Sequence, residues 1–210
     1  MFKNINRKLK QLTKEVVKMK NILICMVFVV VAFCATSAWA ASSQTVTVNA
    51  TIPTMTGGLN VSVSKVVGTV WTSATQIGFG TLIWDTVNHI FLPNCYYAVD
   101  IGVTDNSPTV WTLTHTRASL ANGANNLNGK VNVSFNKQTS PTVGTELQKV
   151  SFGNSNSIAY TKTQLSGGWL RIYYGVGTGE PGADAPGVTP IGLDTPAGTY
   201  TGSVTITLTP

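Results

Sequence analysis

The stretch Ser203-Val204-Thr205-Ile206-Thr207-Leu208-Thr209 alternates polar and apolar residues without a break. Successive side chains of an extended strand point to opposite faces, so a period of two puts Val204, Ile206 and Leu208 against a core and the hydroxyls in water. Working outward from this strand, the same pattern recurs along the chain. Val46, Val48, Ala50 and Ile52 form one row, and Leu59, Val61 and Val63 another. Tyr97, Val99, Ile101 and Val103 follow, then Val131, Val133 and Phe135, then Leu170, Ile172, Tyr174 and Val176. Gln76 to Trp84, Val110 to Thr116, Glu146 to Phe152 and Ile158 to Thr163 add further candidates. No segment after residue 40 sustains a helical period; the best, Ala118 to Leu127, is broken by Asn122-Gly123. About ten strands with short turns predict an all-β domain, a single antiparallel β-sandwich of immunoglobulin-like or jelly-roll-like type.

The first forty residues differ in kind. Residues 1 to 20 hold seven Lys or Arg and one acid, and an unbroken apolar run of 14 residues extends from Ile22 to Ala35. The small-residue site Ala38-Trp39-Ala40 follows. A basic segment, a short apolar segment and an A-x-A site make a secretory signal peptide. The apolar run is short for a bilayer-spanning helix, which needs roughly 20 residues. The expected division is therefore a signal-peptide helix over 1–40, cut after Ala40, and a β-sandwich domain over 41–210. Export to the cell surface, periplasm or medium follows, with membrane contact only transient, through the signal peptide.

Removing the signal changes the charge balance. The whole chain carries a formal +6, but residues 41–210 hold seven basic and seven acidic side chains. A neutral domain lacks the basic surface that phosphate backbones require, which argues against nucleic-acid binding. Cys25 and Cys34 leave with the signal, so Cys95 has no intrachain partner and is expected as a small buried apolar residue.

Residues that could carry chemistry are few. A hydrolase needs a positioned nucleophile with a base, or paired carboxylates. Only His89 and His115 could be histidine bases, and no serine sits in a Gly-x-Ser-x-Gly turn. His115 falls on the Trp111–Leu113 row and is expected to pack at a sheet edge; His89 lies near a turn. Glu180 and Asp184 sit in the proline-rich stretch 177–196, which reads as a solvated surface loop, not as a calcium loop of closely alternating acids. No catalytic residue, metal site or cofactor is expected. The aromatic residues are the better candidates. In the pairs Tyr96-Tyr97 and Tyr173-Tyr174, alternation sends one ring to the core and one to solvent. Exposed tyrosine and tryptophan can stack on sugar rings or anchor a partner. Trp71, Tyr96, Trp111 and Tyr173 are the candidate surface contacts, although tryptophans beside apolar rows also suit a core.

Two stretches bear on family. Val103-Thr104-Asp105-Asn106-Ser107-Pro108-Thr109-Val110-Trp111-Thr112-Leu113 sets an aspartate-containing turn before Trp-x-Leu. Ala197-Gly198-Thr199-Tyr200-Thr201-Gly202-Ser203-Val204-Thr205-Ile206-Thr207-Leu208 sets a tyrosine before an alternating strand. Together they resemble the cell-wall-binding WxL domain family of bacterial surface proteins, with Ile206 where the second motif has tryptophan. The final strand also resembles that of fimbrial-subunit-like sandwiches, and Ile77-Gly78-Phe79-Gly80-Thr81-Leu82 is similar to their Phe-Gly-Thr strand. These resemblances imply a non-catalytic, cell-wall or surface-associated structural or adhesion domain without a cofactor. The partners implied are a cell-wall or surface glycan or other copies of the chain. The alternatives are a fimbrial or pilus-type subunit assembling by strand exchange, and a carbohydrate-binding module. For exchange, the candidate donor strand is the row Val46, Val48, Ala50 and Ile52; pairing inside its own sandwich is the favoured arrangement for that strand.

Overall fold

A computed structural model describes residues 45–51, 59–104, 110–153 and 157–209 of the chain. Its strands, in order, are β1 (Thr45–Thr51), β2 (Leu59–Val67), β3 (Val70–Ala74), β4 (Ile77–Thr81), β5 (Ile83–Asp85), β6 (Ile90–Leu92), β7 (Tyr96–Val103) and β8 (Thr112–Arg117). There follow β9 (Ala121–Asn122), β10 (Asn125–Asn126), β11 (Val131–Ser140), β12 (Val143–Ser151), β13 (Ser157–Thr161), β14 (Trp169–Val176) and β15 (Thr199–Thr209). The fold is an all-β sandwich. The count exceeds the sequence expectation because short segments form their own ladders: Gln76 to Trp84 divides at Leu82 into β4 and β5. The helical candidate Ala118 to Leu127 holds the small hairpin β9–β10, turning at Gly123, whose φ of +59° suits glycine.

One sheet has six strands in the order β12-β11-β14-β7-β2-β3, every neighbour antiparallel. The other has seven. β15 is its spine: it pairs with β1 along Thr199 to Thr205, and on its other side with β9 at Thr201 and β8 from Val204 onward. β4 lies outside β1, and β13 outside β8. The β1–β15 pairing is parallel, the exception among the described strand pairs. It places β1 inside the chain's own sheet. Val46, Val48 and Ala50 lie in that register; Ile52 is outside the described residues.

The two inner faces enclose the core. From the six-stranded sheet come Val63, Val99, Ile101, Val131, Val133, Phe135, Ile172 and Tyr174; from the seven-stranded sheet come Ile77, Phe79, Leu113, Tyr160, Val204 and Ile206. These are the rows that sequence alternation identifies, and Cys95 is buried with them. Polar tips tie the layers: Tyr97 Oη donates to Gly78 O at 2.6 Å, with the Phe79 ring edge-on to Tyr97 at 5.7 Å. At the foot of β15, Tyr200 Oη donates to Pro196 O at 2.6 Å and fixes the corner into the strand.

The stretch 177–196 is a loop, as its prolines require, and it is pinned to the sandwich. Thr178 N, Gly179 N and Asn132 Nδ2 all donate to the Asp184 carboxylate at 2.6–3.0 Å. These donors hold the Asp184 pKa below the ordinary value against the opposing effect of burial. Lys130 Nζ donates to Thr189 Oγ1 and Pro190 O, and Ile191 is buried against Phe91. The Asp184 oxygens are engaged within the fold.

Candidate functional site

On the six-stranded sheet, alternation sends residues 97, 99, 101 and 103 of β7 inward and 96, 98 and 100 outward; on β14 it sends 170, 172 and 174 inward and 171 and 173 outward. On β2 the inward row is Leu59, Val61 and Val63, yet Val66, on the opposite parity, is fully buried. The solvent face explains it. Val66 is level with Tyr96 on one side and Trp71 on the other. Large side chains on the two flanking strands cover it, and Ala98 beside it is buried as well. Neither residue belongs to the inter-sheet core cluster. The outer face thus carries a small second apolar layer.

Arg171 is the centre of this layer. Its guanidinium carbon lies 4.7 Å from the Trp71 ring centre and 6.0 Å from that of Tyr173. Tyr96 and Tyr173 meet edge-on at 6.0 Å. Arg171 Nε donates to Asp100 Oδ1 at 2.6 Å and Nη2 to Asp100 Oδ2 at 2.8 Å, a two-pronged pair; Nη1 donates to Pro141 O at 3.0 Å. The Asp100 hydrogen bonds raise the Arg171 pKa. The arginine is buried, so its cation–π contacts are partly desolvated and stronger than at an open surface. Burial first, then the neighbouring Tyr173, raises the Tyr96 pKa and keeps it neutral. Trp71 remains 42% exposed and Tyr96 37%. The result is a neutral-rimmed aromatic patch with an ion pair beneath it. It can stack on ring-shaped or planar ligands; it holds no histidine or cysteine.

Three of the four aromatic residues singled out in sequence therefore converge on one face. The fourth does not. Trp111 is only 6% exposed and packs in the inter-sheet core at the start of β8. The alternating row shared with Leu113 carries it inward, so it is a core residue, not a surface contact. With Ile101, Val103, Leu165 and Trp169 it borders a cleft of about 200 Å3 at the end of the sandwich. Its indole Nε1 is buried without a hydrogen-bond partner. Arg171 and Asp100 were not singled out as site residues from sequence; their pairing joins residues 71 positions apart.

The histidines separate. His89 is exposed in the β5–β6 turn, at a positive φ of 55°. His115 is buried, not at an edge, because β13 pairs outside β8 and closes it off. It lies edge-on to Phe135 at 5.0 Å and shares a hydrogen bond with the Tyr174 hydroxyl through Nε2. Arg117 Nη1 approaches His115 Nδ1 at 3.4 Å, and Arg117 Nε donates to Phe152 O at 2.7 Å. Arginine can only donate, so Nδ1 is the acceptor and Nε2 carries the proton. Burial, then the Arg117 charge, pushes the His115 pKa down to about 3. Such an imidazole stays neutral near pH 7 and, walled into the core, serves packing.

The chain has no significant match among protein-family models, curated proteins or solved structures.

Proposed function

We propose that the chain is exported and that residues 41–210 form a non-catalytic cell-surface domain. The domain docks on cell-wall or surface glycan through the solvent face of the six-stranded sheet. One observation carries this reading: Trp71, Tyr96 and Tyr173, from three different strands, meet around one buried, ion-paired arginine and remain partly open to solvent. Keeping large rings in water forgoes their burial, and rigid aromatic side chains give much contact area for little ordering entropy. The WxL-like motifs support a wall-associated setting, and the neutral charge of residues 41–210 suits an uncharged ligand better than a polyanion.

The test is co-sedimentation of residues 41–210 with purified peptidoglycan and with insoluble polysaccharides. Trp71→Ala and Tyr96→Ala should each weaken binding by about 10-fold or more, a loss of at least about 1.4 kcal/mol, which places them among the minority of contact residues that cost more than about 1 kcal/mol. Leu193→Ala, at an exposed position elsewhere, should not change it. Absence of binding across the glycan panel would overturn the reading. Export has its own check: N-terminal sequencing of the extracellular or periplasmic protein should start at Ala41, and a product still carrying Lys20 would refute cleavage there.

A further inference from the structure

Among the described strands, the six-stranded sheet ends on β12 and β3, and these two edges are built differently. β12 carries Glu146 and Lys149, and its ladder with β11 has two register shifts. Charges and bulges are what keep an edge from pairing with another chain. β3, Val70-Trp71-Thr72-Ser73-Ala74, has no charge, no proline and no register shift against β2. It is joined to β2 by a two-residue turn whose first residue, Gly68, has φ +58°, as a type II′ hairpin requires. Val70 on this edge is 62% exposed, and Val67 and Trp71 beside it are exposed too. The seven-stranded sheet offers no equal among its described edges. β4 has Gly78 and Gly80 and a register shift against β1, and the exposed residues of β13 are Ser157, Ala159 and Thr161.

We infer that β3 pairs antiparallel with β3 of a second copy of this chain, about a two-fold axis through Thr72. An open ladder of N–H and C=O groups is matched only by another extended strand. The strand is complementary to itself in this register: Thr72 faces Thr72 of the partner subunit, Trp71 faces Ser73 of the partner subunit, and Val70 faces Ala74 of the partner subunit. No like charges meet, and threonine opposite threonine is a favourable cross-strand pair. Val70 and Ala74 share the inner face with Val63; Trp71 and Ser73 share the outer face with Val66 and Ser64. A two-fold axis normal to the sheet keeps both outer faces on the same side. The two tryptophans become diagonal neighbours about 7–8 Å apart. Two aromatic patches then form one strip across a continuous twelve-stranded sheet. The dimer stands on the edge alone; its use, doubled attachment to a repeating glycan, rests on the function proposed above. Five residues per strand make a small interface, so the association is weak and reversible.

The experiment is sedimentation velocity of residues 41–210 from micromolar to millimolar concentration, with Thr72→Lys and Thr72→Glu variants. Wild type should pass reversibly from monomer to dimer. Each variant alone should stay monomeric, because the axis sets like charges directly opposite, whereas an equimolar mixture of the two should dimerise again. Unchanged unfolding midpoints would show that the variants are folded; Thr72→Glu, which faces Lys65 in its own chain, guards against a misfolded lysine variant. A wild type that stays monomeric throughout, variants that dimerise like wild type, or a mixture that does not recover overturns the two-fold pairing. So does growth into long polymers, which marks head-to-tail pairing of β3 with β12. The glycan reading fails separately: Tyr96→Ala should weaken glycan binding while leaving the dimer, and Thr72→Lys should bind as a monomer with reduced avidity.

Discussion

Phe135→Ala is expected to cost about 3–5 kcal/mol, the usual range for truncating a fully buried phenylalanine. Phe135 sits in the middle of β11 with no solvent exposure. Its ring is edge-on to His115 at 5.0 Å and tilted against Tyr160 at 5.7 Å, and the Arg117 guanidinium carbon lies 5.9 Å from its centre. The ring is thus the apolar partner of a buried polar group as well as a core filler. Removing it leaves a cavity and strips Arg117, for which the structure shows no carboxylate partner among the described residues, of part of its compensating environment. In a domain of this size, each kcal/mol lowers the thermal midpoint by roughly 2–4 °C. A fall on the order of 10 °C in thermal unfolding is the expected result. Thr145→Ala, exposed on the neighbouring β12, should stay within about 0.5 kcal/mol of wild type. Similar midpoints for the two variants would mean that β11 presents its other face to the core.

The same physics explains what the sequence makes legible. A side chain's face in a strand is a local property, so Val131, Val133, Phe135, Ile172, Val204 and Ile206 can be assigned inward from alternation alone, and all are buried. The split of Tyr96 from Tyr97 follows the same rule. Strand partners are not local. Nothing in Thr45–Thr51 says that it pairs parallel with Thr199–Thr205, because that choice depends on which edge is left open by the other strands. The aromatic patch was half legible for the same reason. Its tyrosines follow from parity and Trp71 from residue type, but Arg171 and Asp100 meet only when β14 docks on β7. One local signal was available: Val66 breaks the row of Leu59, Val61 and Val63, and an apolar residue on the polar parity marks a face with something to cover it. Trp111 shows the converse. Its row with Leu113 points inward, and parity outweighs the tendency of tryptophan to serve at surfaces.

Acid should weaken this fold before its carboxylates titrate, through His115. In the unfolded chain the imidazole takes up a proton below its ordinary value near 6.5; in the folded chain, burial and Arg117 postpone this to about 3. The unfolded state therefore binds more protons throughout the interval between these values. Stability is unaffected above the upper value, falls as pH drops through the interval, and levels off below about 3. The full effect is on the order of 5 kcal/mol, at about 1.4 kcal/mol per pH unit. The groups around the ring cannot offset it. Tyr174 is a neutral hydroxyl whose own pKa burial raises, Tyr160 is likewise pushed up to about 12, and Arg117 is positive. The carboxylates of Asp85 and Asp184 have lowered values in the fold and add their own losses at more acidic pH. The clean window for His115 is therefore about pH 6.5 to 4.5, across which wild type should lose roughly 2–3 kcal/mol in denaturant unfolding. His115→Gln keeps a neutral group able to hydrogen-bond Tyr174 and cannot titrate. It should lower stability at pH 7 through imperfect packing, yet show a nearly flat profile across that window. A variant whose slope matches wild type would mean that His115 is protonated in the folded protein, and that the polar core around Arg117 is open to water.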